Sequence, residues 1–164
     1  MTRVITALAV LALAAPAAAQ IRRVSVSTAG LEANGPSGAP AISGDGRYVA
    51  FASAASNLVP GDTNGLWDVF LRDRDADGDG LFDEAGAVAT TRLSVGPGGV
   101  QSNGTSINPS ITADGRFVCF ISTASVLVPG VPGGYYQVYR LDRSTGAITL
   151  ISSANDGTDR KSVV

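Results

Sequence analysis

The sequence contains no histidine and only one cysteine among its 164 residues. The lack of histidine removes the commonest general base and the commonest zinc ligand from the chain. The single cysteine, Cys119, excludes an intramolecular disulfide, so packing or a metal ion must hold the fold together. A G-x-S-x-G motif and a cysteine with a partner base are also missing, and these absences argue against an enzyme.

Charge is scarce as well, with 12 basic and 14 acidic residues. Six of the acidic residues lie in one short stretch, DRDADGDGLFDE, which runs from Asp73 to Glu84. The basic residues form no patch along the chain, and this distribution argues against nucleic acid as a partner. The acidic stretch is therefore the chemically distinctive segment of the sequence.

A long apolar run occurs only at the N-terminus. Arg3 precedes apolar residues 4–15, and Pro16 separates this run from the small residues 17–19. This order is typical of a secretory signal peptide cut between Ala19 and Gln20. The run is shorter than the roughly 20 residues that a membrane span needs. We therefore expect a signal peptide at 1–19, no membrane span, and a mature protein that is secreted or periplasmic.

An internal repeat organises the rest of the chain. Residues 37–74 align without a gap with residues 106–143, at an offset of 69 (106 minus 37). A third copy of the pattern begins at Ser152, at an offset of 58 from its counterpart Ser94 (152 minus 94). The shortfall between the two offsets falls between Arg74 and Ser94. The acidic stretch is therefore an insertion in the first repeat.

Each repeat contains four short segments with the composition of β-strands. In the first repeat they are APAIS, RYVAFAS, WDVFLRD and TTRLSV, and in the second NPSIT, RFVCFIS, QVYRLD and AITLIS. An Asp-Gly pair between the first two segments is a strong hairpin signal. Four-stranded units in tandem, each covered by its neighbours, are typical of propeller blades. The sequence predicts an all-β fold, a partial β-propeller of two four-stranded antiparallel blades plus strands of flanking blades.

The predicted boundaries follow from the repeat. Residues 20–36 form the outer strand and linker of a preceding blade, and residues 37–95 form the first blade with its insertion at 75–85. Residues 96–153 form the second blade, and residues 154–164 begin a truncated further repeat. Closed propellers use about four to eight blades, so two cannot close a ring. We expect either a partial gene product or self-association of several chains to complete a ring.

The two repeats also resemble a known family. PAISGDGRYVAFAS and PSITADGRFVCFIS resemble the P-x-x-S-x-D-G-r-x-x-x-F-x-S signature of TolB-like propeller repeats, also called WD40-like PD40 repeats, of exported bacterial proteins. The resemblance covers nearly all of the mature chain. It implies a β-propeller that binds other molecules on its rims and that has no catalytic motif of its own. An acidic insertion of this kind after the third strand also fits the family.

The acidic insertion matches a calcium-binding loop in two registers. Starting at Asp73 it gives D-x-D-x-D-G with Glu84 at position 12, the EF-hand loop pattern. Starting at Asp75 it places three aspartates before Gly80, and we favour this register because Asp73 has a counterpart in the second repeat. The flanking segments are strands, which excludes a signalling EF-hand. The predicted ligands of a structural Ca²⁺ are Asp75, Asp77, Asp79, the carbonyl of Leu81, Asp83 and Glu84. The alternative is a solvated acidic loop without a metal.

A weaker group of oxygen ligands is formed by Asp62, Asn64 and Asp68. It could hold a second cation, but the aligned positions in the second repeat carry no ligand residues. Hydrogen bonding of Asn and Asp side chains to their own turn is therefore the favoured interpretation.

These patterns predict a non-enzymatic, exported propeller module, stabilised by calcium, whose rim loops bind a protein, peptide or glycan. Two alternatives remain from the sequence. One is the propeller portion of an exported hydrolase or peptidase, and the other is a two-blade lectin-like unit completed by oligomerisation.

Overall fold

The computed structural model describes residues 21–153. The predicted signal peptide at 1–19 and the predicted repeat start at 154–164 lie outside these residues. The described chain is all-β apart from one 3-10 turn at Pro97–Gly99. No helix within residues 21–153 is long and apolar enough to cross a bilayer.

Eight strands form two separate antiparallel sheets, each with its strands in sequence order. The first blade contains β1 (Ser37–Ile42), β2 (Tyr48–Ser53), β3 (Asp68–Asp73) and β4 (Ala89–Arg92). The second blade contains β5 (Ser106–Ile111), β6 (Phe117–Ser122), β7 (Gln137–Asp142) and β8 (Ala147–Leu150). The two sheets do not close into a ring. The predicted fold class, a partial propeller of two four-stranded blades, is confirmed.

The two blades repeat each other down to the irregularities of the backbone. The β1–β2 register shifts between Gly38 and Ala41, and the β5–β6 register shifts at the corresponding place. The residues at these bulges, Ala39 and Asn108, both have a positive φ, of 49° and 52°. An extra residue in one strand bends that strand and increases its twist. The repeat in the sequence is therefore a repeat of the backbone as well.

The main hydrophobic core lies between the two blades. Side chains alternate between the faces of a strand, so Ala50, Val69 and Leu71 point from one face of the first blade. They belong to one buried cluster with Phe120 and Tyr139 of the second blade. The opposite face of the first blade has a smaller cluster of its own, built from Phe51, Ala55, Leu58 and Phe70. Both faces of β2 and β3 are thus buried.

The second blade keeps one of its faces open. Along β7, buried residues alternate with exposed ones, and Val138 and Arg140 are among the exposed. This is the face that corresponds to Val69 and Leu71 of the first blade, which the second blade covers. In the described part of the chain no third blade covers it.

The leading segment, predicted as the outer strand and linker of a preceding blade, forms no strand over its described part. It makes a turn closed by one β-bridge between Val26 and Glu32. Hydrogen bonds hold this turn against β4, because the Thr90 hydroxyl donates to the Val26 carbonyl at 2.7 Å and the Thr90 amide donates to the Thr28 hydroxyl at 2.9 Å. The segment that precedes the second blade has an equivalent bridge, between Val95 and Gln101.

Candidate metal centre

The acidic insertion is a closed loop between β3 and β4. Its base is tied by the Ala76 amide, which donates to the Ala87 carbonyl at 2.7 Å, and by the Asp83 amide, which donates to the Arg74 carbonyl at 2.7 Å. The loop therefore has a defined conformation fixed by its own backbone.

Asp75 organises the turn at the start of this loop. Its carboxylate accepts hydrogen bonds from the amides of Gly78 and Asp79 at 3.0 Å and of Gly80 at 3.2 Å. Gly78 and Gly80 both adopt a positive φ, which glycine reaches without steric cost. Asp79 in turn accepts a hydrogen bond from the Leu81 amide at 2.8 Å. The short D-x-D-x-D-G spacing thus winds the chain tightly around the Asp75 carboxylate.

This winding brings three carboxylates together. Asp75, Asp77 and Asp79 each offer one oxygen, and these oxygens lie within 4.8 Å of one another. Asp75 is buried and the other two are exposed. Oxygen ligands at this separation fit the coordination of a hard cation, which places ligands at about 2.3–2.6 Å in the case of calcium. Without a cation the charges would repel one another.

Glu84 lies at the edge of the same cluster. Partial desolvation, followed by the nearby carboxylates of Asp79, Asp77 and Asp75, raises the pKa of Glu84 above its ordinary value. The negative charges of these three aspartates therefore reach Glu84. Leu81 sits in the same turn, with its side chain exposed.

The Asp83 side chain lies elsewhere. Its carboxylate pairs with the guanidinium of Arg74, with Nη2 to Oδ2 at 2.5 Å and Nε to Oδ2 at 3.1 Å. This hydrogen-bonded pair raises the pKa of Arg74. Asp83 has a positive φ of 64°, which turns the backbone at this point. Of the six predicted ligand residues, the structure therefore groups the carboxylates of Asp75, Asp77 and Asp79, and it pairs the carboxylate of Asp83 with an arginine.

Asp73 is also used by an arginine. Arg47 donates two hydrogen bonds to its carboxylate, at 2.8 and 3.0 Å. The second blade has the same pair, formed by Arg116 and Asp142. Because this contact exists in the blade that lacks the insertion, Asp73 belongs to the scaffold. This agrees with the register that starts at Asp75.

A second group of charged side chains is buried at the loop that precedes β3. Arg92 Nη1 lies 3.1 Å from Asp62 Oδ1 and 3.6 Å from Asp68 Oδ2, and all three side chains are almost fully buried. Asp68 also accepts hydrogen bonds from Asn64 at 2.8 Å and from the Ser94 hydroxyl at 2.5 Å. A guanidinium thus lies among the residues that could have held a second cation. Asn64 accepts from the Leu66 amide at 2.9 Å, the local turn bond that the sequence favoured.

Burial dominates the ionisation of these two acids. Burial raises the pKa of Asp62, with a further increase from Asp68, and the guanidinium of Arg92 opposes the shift. Burial also raises the pKa of Asp68 against the lowering effect of its hydrogen bonds. Sequence reasoning missed Arg92. The signal was available, because Arg92 aligns with Leu150 and so is charged only in the repeat that has the two acids.

An open groove lies between the two blades near their first strands. Its volume is about 390 Å³, and its wall is more apolar than polar. The aromatic side chains of Trp67 and Tyr136 both line it. Tyr136 is 45% exposed, so one edge of the groove presents an aromatic ring to solvent.

Comparison with known proteins leaves the family open. No family model matches the chain, and no curated protein matches it either. Among solved structures, a protein from Agrobacterium tumefaciens described as a candidate TolB is similar, with 19% sequence identity and a TM-score of 0.42. The match covers 73% of this chain and 31% of that protein, so this chain spans about a third of its length. The fold assignment therefore depends on the two sheets themselves.

Proposed function

We propose that the protein is an exported β-propeller-type binding module whose acidic insertion holds a structural calcium ion. The observation that carries the calcium assignment is the group of three oxygens from Asp75, Asp77 and Asp79, within 4.8 Å of one another. The turn that groups them is already stabilised by the amides bonded to Asp75.

The ligand chemistry favours calcium among the common metals. The cluster offers only oxygen atoms, which suit hard cations and not zinc or copper. Calcium accepts about six to eight oxygens in flexible geometry, whereas magnesium demands a near-ideal octahedron. Asp75, Asp77, Asp79 and Glu84 would supply carboxylates, and the carbonyl of Leu81 would be a further ligand. The bound ion would neutralise the cluster and hold the loop rigid.

The binding role is supported by the groove that Trp67 and Tyr136 line. Aromatic rings offer a flat apolar face together with a polar edge, and such residues are enriched where proteins meet peptides and other ligands. The groove lies between the two sheets, and strands β1, β2 and β5 supply part of its wall. A protein segment, a peptide or a glycan is the class of ligand that this site would take.

Isothermal titration of the mature chain with calcium tests the metal proposal. We expect one ion per chain, and Asp77→Asn and Asp79→Asn should each weaken binding by roughly tenfold or more. Glu32→Gln, which changes an exposed acid far along the chain from the loop, is the matched control and should bind like the parent. Absence of binding by the parent, or equal binding by the two loop variants, would identify a solvated acidic loop instead.

Trp67 is the only tryptophan in the sequence, so its fluorescence reports on the groove alone. A peptide or glycan from a screened library that binds in the groove should change the emission of Trp67. The Tyr136→Ala variant should show a smaller change in emission with the same ligand. A ligand that binds without any change in Trp67 emission would place the binding surface elsewhere.

A further inference from the structure

The joint between the blades contains an aromatic ring that is held by an arginine from the other blade. Arg143 of the second blade donates a hydrogen bond to the Gly115 carbonyl at 2.5 Å. The same guanidinium stacks on the ring of Tyr48 in the first blade, 3.7 Å from the ring centre. Such cation–π contacts stabilise a protein most where they are shielded from water. Arginine and glycine of one blade thus form a seat for an aromatic residue of the blade before it.

The first blade has the same seat, and its own insertion fills it. Arg74 and Gly46 occupy the positions of Arg143 and Gly115 in the repeat, and Arg74 donates to the Gly46 carbonyl at 2.9 Å. Its guanidinium lies 5.0 Å from the ring centre of Phe82, which comes from the acidic insertion. A Cβ built on Gly46 would meet Phe82 first, as one built on Gly115 would meet Tyr48 first. Phe82 therefore takes the place that an aromatic residue of a preceding blade would take.

The second blade also has the aromatic partner for such a seat, on its open face. Phe117 occupies the position of Tyr48 in the repeat and is only partly buried. The guanidinium groups of Arg116 and Arg140, both from its own blade, lie 4.7 and 5.1 Å from its ring centre. Arg116 corresponds to Arg47, which lies 4.9 Å from the Tyr48 ring. In the described residues, Phe117 has no arginine from a following blade.

We propose that Gly46 and Arg74 form a docking seat for Phe117 of a second copy of this chain, and that Phe82 closes this seat from within its own chain. The second copy is the occupant because, within residues 21–153, the face of its second blade that carries Phe117 is uncovered and matches the first-blade face that carries Tyr48. Contacts of this head-to-tail kind propagate into rings or open chains. Phe82 thereby limits self-association. The proposal does not require that the insertion binds calcium.

The ion pair between Arg74 and Asp83 supports this role. Asp83 follows Phe82 directly, and its carboxylate fixes the same guanidinium on which the ring stacks. Two neighbouring residues of the insertion, Phe82 and Asp83, therefore both contact the Arg74 guanidinium of the seat. Phe82 is still 39% exposed, so its removal leaves most of the chain's packing untouched.

Sedimentation velocity over a range of protein concentrations tests the proposal. Phe82→Ala should self-associate with an apparent dissociation constant about tenfold lower than that of the parent, because a competing contact weakens binding by the fraction of molecules it closes. Phe117→Ala in the Phe82→Ala background should remove this association. Phe82→Tyr keeps a ring in the seat and should behave like the parent.

A second variant removes the whole insertion, with residues 75–88 replaced by the Ser-Thr-Gly turn of residues 144–146. It should associate at least as strongly as Phe82→Ala, and thermal unfolding with circular dichroism confirms that each variant is folded. Two results would overturn the proposal. One is an unchanged association of folded Phe82→Ala and of the turn variant, and the other is association that persists when Phe117 is also removed.

Discussion

The two blades share their scaffold and differ in how they treat equivalent polar positions. Each has the arginine–aspartate pair between its second and third strands, and each has a pair of bonded serine hydroxyls at 2.9 Å, Ser37 with Ser53 and Ser106 with Ser122. Each also stacks two aromatic rings, at 5.8 Å in the first blade and 5.9 Å in the second. The contacts that both blades retain are those that build a four-stranded sheet.

The start of the third strand shows the clearest difference. In the first blade Asp68 accepts a hydrogen bond from Ser94, and Arg92 balances the charge. In the second blade Gln137 accepts a hydrogen bond from Ser152, and Leu150 stands in place of the arginine. One position thus supports either a charged or a neutral network when all its members change together. A buried polar network is stable when every polar group in it has a partner, whether its members are charged or neutral.

The largest effect is expected when this network is broken in one blade. Arg92→Leu would leave the buried carboxylates of Asp62 and Asp68 without a cation, which should lower the free energy of unfolding by about 3–5 kcal/mol at pH 7. Chemical denaturation monitored by circular dichroism measures this loss.

The same variant should recover stability in acid. Burial raises the folded pKa of both acids above the unfolded value, so the folded state binds their protons more tightly. Stability from these groups is then greatest below the unfolded pKa and falls as the pH rises through the folded pKa. Loss of Arg92 enlarges this effect because Arg92 lowers the pKa of each acid. The deficit should therefore shrink between pH 7 and pH 4.

The neutral network of the second blade supplies the matched control. Combining Arg92→Leu with Asp62→Val and Asp68→Gln installs the residues that stand at positions 150, 131 and 137. Replacing a buried ionic group by a neutral set is often neutral or stabilising. A triple variant as unstable as Arg92→Leu alone would refute the equivalence of the two networks.

A smaller difference is expected between two equivalent glycines. Gly115 has a φ of 70°, and a Cβ there would lie 2.9 Å from Tyr48 Cε2 and closer still to Cδ2. Gly46 has a φ of 78°, but its nearest neighbour would be 3.7 Å away. Gly115→Ala should therefore cost about 2–4 kcal/mol from backbone strain and overpacking, and Gly46→Ala about 1–2 kcal/mol from strain alone.

Thermal and denaturant unfolding of the two alanine variants measures this difference. Tyr48→Ala should relieve the overpacking part of the Gly115→Ala cost and leave the Gly46→Ala cost unchanged. Equal costs for the two glycines in the parent background would mean that the blades do not meet at Tyr48.

Much of the scaffold could be predicted from the sequence because the repeat fixes it twice. The strand segments around Phe51 and Phe120, and the Asp-Gly turns before them, appear at the same spacing in both copies. The insertion was located for the same reason, since only one copy carries it. Its D-x-D-x-D-G spacing also predicted which carboxylates would meet, because Asp75 organises the turn through purely local hydrogen bonds.

The remainder depends on contacts between residues distant in sequence. Spacing predicts Asp83 as a ligand, yet its carboxylate pairs with Arg74, nine residues earlier in the chain. Arg92 lies on β4, which pairs with β3, and its guanidinium contacts Asp62, 30 residues earlier in the chain. From the sequence, Phe82 is only an apolar residue in a charged loop. Its contact with Arg74 becomes informative when it is compared with the contact between Arg143 and Tyr48. Sequence spacing cannot decide between competing partners of one charge.

The insertion and its counterpart turn at residues 144–146 allow the most direct test of the account, in which calcium rigidifies only the first blade's loop. Hydrogen exchange by nuclear magnetic resonance follows the amides of Gly78, Asp79 and Gly80, which are bonded to Asp75. At a free calcium concentration about 100 times the dissociation constant, the ion-free loop is populated about 100-fold less. Hydrogen exchange at these amides through openings that release the ion should therefore slow by about 100-fold. Exchange at Ser144 and Gly146 should not change. Unchanged exchange at Gly78, Asp79 and Gly80, or equal slowing in both turns, would contradict the account.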